Sequence, residues 1–280
     1  MAVAAETAGF DSIWVGDHLL YHHDDGPRGP WESWSLLAAL AAVTERVTLG
    51  PLVASTSFHN PAMLAKKAAT IDEISGGRLI VGLGAGWNRT EYDAFGFPYD
   101  HRASRFEEAF TIISTLLRDG YIDFTGRYYE ARECHLTPRS RPGGPPLMVG
   151  STGPRILRAT LPSVDMWNTW FDAYDNNPSA LATMIHSIEE TAESLGRDPS
   201  EIAKTAAVLV QTPGGTGRTS GDPDHAGATP LVGDHETLAA ALHGFAAAGV
   251  DHIQLVVDPI TIGSIEWLGP VLEILDRSNS

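Results

Sequence analysis

Residues 76–88 read Gly-Gly-Arg-Leu-Ile-Val-Gly-Leu-Gly-Ala-Gly-Trp-Asn, a short apolar run in which Gly82, Gly84 and Gly86 alternate with other residues. A short apolar run that follows a Gly-Gly pair is typical of a strand covered on both faces. The Gly-x-Gly-x-Gly spacing differs from the Gly-x-Gly-x-x-Gly of dinucleotide-binding turns. We therefore predict a strand over 79–84 in a parallel sheet. Its glycines either clear one face for a planar ligand or allow tight strand packing.

Similar apolar runs alternate with helical patterns on both sides of this segment, which predicts βα units. Cap signals support two of the helices, because Asn60 and Asn177 each precede a proline. The predicted strands are 12–15, 47–53, 79–84, 146–150, 166–170, 206–211 and 253–257. The predicted helices are 34–44, 61–74, 104–117, 154–160, 179–195, 236–248 and 264–275.

The predicted fold class is α/β, a (β/α)8 TIM barrel that forms one domain over residues 1–280. Residues 2–8 have the pattern of a helix that precedes the first recognised strand, so we expect the first strand of the barrel to be missing from the N-terminus. An open seven-stranded barrel is the alternative. Residues 120–145 and 211–230 are predicted to be long loops near the barrel mouth.

Composition excludes several classes of partner. Nineteen basic and 35 acidic residues give a formal net charge of −16, which disfavours nucleic acid and anionic membranes. Cys134 is the single cysteine, and no Cys/His group has the spacing of a zinc site, so we expect neither a disulfide nor a metal. No signal peptide and no membrane-length apolar run is recognised, so a cytoplasmic location is expected.

Candidate catalytic residues follow the first predicted strand. In a barrel enzyme the active site lies at the carboxyl ends of the strands, and Asp17 and His18 follow residues 12–15 after Gly16. An imidazole at this edge is suited to proton transfer near neutral pH. The alternative is a histidine that only bonds a neighbouring loop.

Other strand ends carry candidate cofactor-binding residues. After the second strand come small residues that let a flat ring approach the backbone, and after the third come residues that line the same space. The turn after residues 146–150 leads into a helix that begins at proline, and its amides and hydroxyls are suited to a phosphate; a plain helix start is the alternative. These candidates are Val53, Ala54 and Ser55; Gly84, Gly86, Trp87 and Glu91; and Gly150, Ser151, Thr152 and Gly153.

Two aromatic residues are candidates for the wall of a substrate pocket. Trp31 lies in the segment after Asp17 and His18, and Trp170 lies at the end of the fifth predicted strand. Buried aromatic residues are more often part of the core, so both readings stay open for Trp170.

Together these stretches resemble the luciferase-like monooxygenase superfamily, and within it the coenzyme F420-dependent oxidoreductases. The resemblance covers nearly the whole chain. The matching stretches are 9–18, 44–50, 60–66, 79–87 with Glu91, 126–129 and 248–252.

The resemblance implies a reduced flavin or deazaflavin at the carboxyl ends of the strands. It places the reactive ring near His18 and the backbone of residues 52–55, and the phosphate near residues 150–153. A non-prolyl cis peptide near Leu52-Val53 is also implied. The chain departs from the pattern at His59, where many relatives carry arginine. A homodimer or larger homo-oligomer follows from the same resemblance.

Three functions are compatible with the sequence. The first is hydride transfer between coenzyme F420 and a small organic substrate. The second is an FMN-dependent monooxygenase that uses oxygen. The third is a non-catalytic flavin-binding barrel, which would follow from the loss of the first strand.

Overall fold

The computed structural model describes residues 1–23, 26–217 and 227–278. Backbone contacts divide the chain into a terminal unit, Met1–Ile13 with Asp165–Ser280, and a central unit, Trp14–Val164. The prediction of one domain over 1–280 stays a prediction. In chain order the elements are α1 (Ala2–Thr7), β1 (Ser12–Val15), β2 (Tyr21–His23), β3 (Gly26–Arg28), α2 (Ser33–Val43), β4 (Thr48–Pro51), β5 (Ala54–Ser55), α3 (Pro61–Ile74), β6 (Val81–Gly84), α4 (Arg89–Phe95), α5 (Arg102–Asp119), β7 (Tyr121–Thr125), β8 (Glu130–His135), β9 (Leu147–Gly150), α6 (Pro154–Thr160), β10 (Met166–Thr169), α7 (Pro178–Ser194), β11 (Ala203–Gln211), α8 (His235–Ala247), β12 (His252–Asp258) and α9 (Ile262–Ser278), with 3₁₀ turns at Thr56–Phe58, Phe171–Tyr174 and Pro199–Glu201.

The central unit is built on parallel strands. β5 pairs with β6 and β6 pairs with β9, with Ala54 opposite Leu83 and Val81 opposite Leu147. β4 joins β6 through a parallel bridge between Leu49 and Leu79, and β1 pairs with β4. Because paired parallel strands end at the same edge, the residues after β5, β6 and β9 lie along one edge of this sheet.

The terminal unit contains a second set of parallel strands. β11 pairs with β10 on one side and β12 on the other. β11 is almost wholly buried, as an apolar strand between two neighbours should be. α9 packs on α1 and α8 in the same unit.

The predicted strands and helices are confirmed, with ends that differ by a few residues. The Asn60 side chain accepts a hydrogen bond from the Met63 backbone N–H, and the Asn177 side chain caps α7. Both helices start with proline, as their sequences predict.

The prediction of a continuous loop over residues 120–145 is wrong. β7 and β8 form an antiparallel hairpin in this segment. The Glu108 carboxylate of α5 accepts hydrogen bonds from three backbone N–H groups of the turn, those of Arg127, Tyr128 and Tyr129. This side chain from outside the segment stabilises the turn, so the segment alone gave too weak a signal.

Three further short elements were not predicted. β2 and β3 form an antiparallel pair before Trp31, and α4 follows the glycine-rich strand. Part of the predicted loop over 211–230, residues 218–226, lies outside the described residues. No helix in the described ranges is long and apolar enough to cross a membrane.

Arg78 fixes the carboxyl end of α2. Its guanidinium donates to the backbone carbonyls of Ala41, Thr44, Val47 and Ser75 and to the Thr44 hydroxyl, at 2.7 to 2.9 Å. Helix carbonyls at this end have no partner within the helix, so these bonds satisfy groups that would otherwise lose water without compensation.

We expect Arg78→Met to lower the free energy of unfolding by roughly 3 kcal/mol, because several carbonyls lose a charged donor together. The midpoint of urea unfolding measures this. Arg89→Met is the matched control, since Arg89 is 69% exposed and pairs with an exposed Asp93. Its effect should stay below about 0.5 kcal/mol. Equal midpoints for the two variants would contradict the assignment.

Candidate functional site

His18 forms a hydrogen-bonded pair with Glu91 in the central unit. His18 Nδ1 lies 3.0 Å from Glu91 Oε2 and 3.2 Å from Oε1. The Glu91 side chain is 1% exposed, whereas that of His18 is 24% exposed. The sequence places these residues 73 positions apart, and α4 brings the carboxylate to the end of β1.

Backbone amides decide which nitrogen of His18 carries the proton. Glu91 Oε1 also accepts from the backbone N–H groups of Leu19 at 2.5 Å and Leu20 at 3.1 Å. A carboxylate that already accepts two amides acts as an acceptor towards the imidazole as well, so we assign the proton to His18 Nδ1. Nε2 is then the nitrogen that can take up or release a proton.

Two aromatic rings flank His18. The ring centroids of Tyr21 and Trp87 lie 4.9 and 5.8 Å from that of His18. Trp87 remains 42% exposed, so this side of the imidazole is lined by apolar surface that a ligand can cover.

Asp17 belongs to a separate network, although it precedes His18 directly. The residue is 4% exposed. Its carboxylate accepts from the Ser33 hydroxyl at 2.6 Å, from the Ser55 backbone N–H at 2.9 Å and from His59 Nε2 at 2.9 Å.

Burial alone would raise the pKa of Asp17, but hydrogen bonds and charge attraction from His59, with the bonds from Ser33 and Ser55, outweigh it and hold the pKa below its ordinary value. A buried anion with every neighbour donating to it is poorly placed to exchange protons with a substrate. This geometry favours a structural role for Asp17 over the catalytic role that the sequence predicts.

The segment after β4 has the backbone expected from the resemblance. The Leu52-Val53 peptide bond is cis, as predicted. The Leu52 N–H donates to the Val15 carbonyl, which ties this segment to β1. Ala54 and Ser55 follow as β5 and are buried.

The glycines of β6 and β9 surround the side chain of Val53. A Cβ atom at Gly84 would lie 2.7 Å from Val53 Cγ2, and one at Gly150 would lie 2.8 Å from the same atom. A Cβ at Gly82 would lie 3.0 Å from Val53 Cγ1. At Gly82 and Gly84 the space in front of the strand is filled by Val53, which favours the alternative of tight packing; that these glycines face a planar ligand stays a prediction.

Gly86 is required by its neighbours. Its φ is +73°, and a Cβ atom there would collide with the Tyr92 hydroxyl and Ser55 Oγ. Tyr92 OH donates to the Ala85 carbonyl at 2.9 Å and lies 3.2 Å from Ser55 Oγ. Burial raises the pKa of Tyr92, so the phenol remains a neutral donor.

The predicted phosphate cradle, residues 150–153, leads from β9 into α6. Gly153 is the N-cap of α6, and no side chain among the described residues caps this helix. The Gly153 N–H donates to Ser151 Oγ at 3.1 Å. Within the described part of the chain, a Cβ atom at Gly153 would contact only Ser151 Oγ, at 3.5 Å, so the position beside Gly153 is open.

Arg155 does not point into the cradle. Its guanidinium donates to the Glu107 carboxylate and, at 2.9 Å, to the Ser104 hydroxyl. The guanidinium of Arg155 is therefore already engaged with α5.

A cavity of about 350 Å³ lies beside the start of α6, and the sequence did not predict it. Arg102 Nη1 donates to the Gly86 carbonyl at 2.6 Å, and its guanidinium lies 4.4 Å from the Tyr99 ring centroid. In the sequence, Arg102 belongs to a polar helix start and resembles a solvent-exposed residue. The cavity is lined by Tyr99, His101, Arg102, Ala103, Ser104 and Arg155.

The two predicted pocket aromatics have different environments. Trp31 is 84% exposed, so the central unit does not enclose it. Trp170 belongs to the terminal unit, where its ring lies 4.7 Å from that of the buried Phe171. Their assignment to a substrate pocket stays a prediction. Residues 1–23, 26–217 and 227–278 contain no group of acidic, His or Cys side chains arranged for a metal ion.

The fold and the site define a class of protein: an α/β protein with parallel strands, whose candidate site residues lie at the ends of those strands. Residues 1–213 match the family described as luciferase-like monooxygenase, and the chain belongs to this family of oxidoreductases. The predicted luciferase-like α/β fold class is confirmed.

Curated relatives cover part of the chain. It is 36% identical over 172 residues to pyrimidine monooxygenase RutA of Enterobacter cloacae, covering 60% of this chain and 47% of that protein. It is 34% identical over 163 residues to an F420-dependent glucose-6-phosphate dehydrogenase of Amycolatopsis mediterranei, covering 56% of this chain and 48% of that protein. The chain thus spans about half the length of these relatives.

A solved structure of an F420-dependent secondary alcohol dehydrogenase in complex with an F420-acetone adduct shares the fold. The TM-score is 0.80 at 22% identity, over 98% of this chain and 93% of that chain. At this identity the likeness concerns the fold alone.

Proposed function

We propose that the protein transfers a hydride between coenzyme F420 and a small organic substrate. One observation carries the proposal: His18 is held through Nδ1 by the buried Glu91, which leaves Nε2 for proton exchange at an edge of parallel strands. The similarity to F420-dependent glucose-6-phosphate dehydrogenase supports the choice of cofactor.

The residues present fit an anionic, ring-bearing cofactor. The start of α6 has no side-chain cap among the described residues and has space at Gly153, as a phosphate requires. Arg102 lies beside the start of α6, and within the described part of the chain it forms no ion pair with an acidic side chain. Its positive charge is therefore available to a bound phosphate, in a chain of net charge −16. Ser151 and Thr152 complete this proposed cradle.

When bound, F420 supplies the hydride acceptor or donor. Oxidation of a substrate hydroxyl also releases the hydroxyl proton, and His18 Nε2 accepts it in this proposal. Glu91 stabilises the imidazolium that results, because its carboxylate already accepts the Nδ1 hydrogen bond. In the reverse direction His18 returns the proton to the substrate oxygen.

The remaining predicted residues are proposed to shape the ring site. The backbone of Val53, Ala54 and Ser55 supports the ring, and Asp17 holds the Ser55 amide. The side chain of Trp87 is proposed to line the ring site on the side near His18. Glu91, predicted as a cofactor contact, is proposed instead to position His18.

An FMN-dependent monooxygenase is the second candidate. The similarity to pyrimidine monooxygenase RutA, at 36% identity, favours it. The same phosphate cradle would serve FMN, which also carries a phosphate. A small-molecule substrate and a homo-oligomer are proposed for either candidate.

Titration of the purified protein with F420 and, separately, with FMN tests the proposal. Binding is followed through the fluorescence of the ring. We expect F420 to bind at least tenfold more tightly than FMN, a difference of about 1.4 kcal/mol in binding free energy. Tighter FMN binding, together with oxygen consumption when reduced FMN is supplied, would favour the monooxygenase. Binding of neither cofactor would exclude both enzyme functions for this chain.

A further inference from the structure

His59 is one of three donors to the buried carboxylate of Asp17. It follows the 3₁₀ turn Thr56–Phe58, and its Nε2 lies 2.9 Å from Asp17 Oδ2. The same oxygen accepts the Ser55 backbone N–H at 2.9 Å. The side chains of His59 and Asp17 are 10% and 2% exposed, so both groups of the pair are largely removed from water.

Asp17 is the carboxylate that His59 contacts. The ring of Trp34 from α2 faces the imidazole edge-on, with centroids 6.1 Å apart. His59 also lines a cavity of about 250 Å³, together with Arg105 of α5 and Tyr129 of the β7–β8 turn. The Arg105 guanidinium is paired with Asp100 at 3.1 Å.

The two oxygens of Asp17 depend on different donors. Oδ1 accepts from Ser33, whereas Oδ2 accepts from His59 and Ser55. Without the imidazole donor, a desolvated carboxylate oxygen would keep one weaker partner and would favour a rotated or hydrated arrangement. Such a change would release the Ser55 amide, which lies next to the segment that contains the cis Leu52-Val53 bond.

We propose that His59 is a positioning residue for the cofactor: through Asp17 it fixes the Ser55 amide and so the backbone on which the ring rests. This inference rests on the proposed function, because that function places the ring at residues 53–55. His59 acts through Asp17 and does not itself contact the cofactor.

Two substitutions separate the hydrogen bond from the bulk of the side chain. In His59→Gln the side-chain amide can place a donor near the position of the imidazole Nε2, whereas His59→Leu removes the donor. His186→Leu is the matched control, because the His186 side chain is 72% exposed and pairs only with an exposed Glu190 among the ion pairs of the described residues.

Two measurements are needed. The first is hydrogen exchange of the Ser55 amide in the cofactor-free protein, and the second is the Kd of F420. We expect His59→Leu to speed the exchange and to raise the Kd, each by about tenfold or more, as loss of a bond to a charged group predicts. His59→Gln should stay within about threefold of the wild type in both, and His186→Leu should change neither.

The outcomes are distinguishable. Unchanged Ser55 exchange in a folded His59→Leu protein would overturn the positioning role. Faster exchange with unchanged F420 affinity would show that the ring does not rest at Ser55. The ring position in the proposed function would then be wrong, and the inference would fail with it. If His59→Leu does not fold, His59→Phe serves as the variant without a donor, and a loss of affinity in His59→Gln as large as that in His59→Phe would overturn the inference.

Discussion

The variant His18→Gln should lose about 10²- to 10⁴-fold in kcat for hydride transfer, because the amide cannot exchange a proton at the position of Nε2. The Kd of F420 should change little, since the proposed phosphate and ring contacts remain. Steady-state kinetics with the cofactor at saturation measures the effect. His186→Gln, an exposed histidine of the terminal unit, is the control and should keep wild-type kcat.

Glu91→Gln gives a sharper test of the same assignment. The glutamine oxygen can still accept from Leu19 and Leu20, but its amide nitrogen must then donate to His18 Nδ1. The imidazole proton moves to Nε2, where it blocks proton uptake. We expect kcat to fall at least about tenfold without loss of folding. If both variants keep full activity, His18 is not the proton acceptor.

The second large effect concerns the cradle. Gly153→Asp places a carboxylate at the N-cap of α6, where Asp is among the residues that helices prefer. The helix should be as stable as in the wild type or more stable. A phosphate at the same position would be repelled, and we expect the Kd of F420 to rise roughly 100-fold.

Gly153→Asn is the matched control for this charge effect. Asparagine has nearly the same shape and also caps helices well, but it is neutral. Its side chain fills the same space and bonds the same amides, so its Kd should also rise, but about tenfold less than that of the Asp variant, which adds repulsion of the phosphate. Equal Kd values for the Asp and Asn variants would place the phosphate elsewhere. Gly150→Asp is a poorer probe, because a side chain there would collide with Val53.

Much of the fold is predictable from local patterns. The strands β1 and β6 belong to short apolar runs, and the caps at Asn60 and Asn177 need only their own neighbours. The β7–β8 hairpin was missed because its turn is stabilised by Glu108 from another element. Local sequence does not contain that information.

The sequence predicted which residues form the candidate site, but not which of these residues bond to each other. The sequence singled out Asp17, His18 and Glu91, yet nothing in it shows that Glu91 holds His18 while Asp17 turns towards His59. Arg102 was missed, since its contact with Gly86 arises only when α5 is placed beside the glycine-rich strand. Pairings over long sequence distances require the fold.

Val53 and the glycines around it occupy one shared volume. Any enlargement at Gly84 or Gly150 competes directly with a Val53 methyl group. These positions are therefore coupled: a side chain can be gained at one only if atoms are lost at another. A redesign of the cofactor edge would have to change them as a set, and single substitutions would report the collision rather than the chemistry.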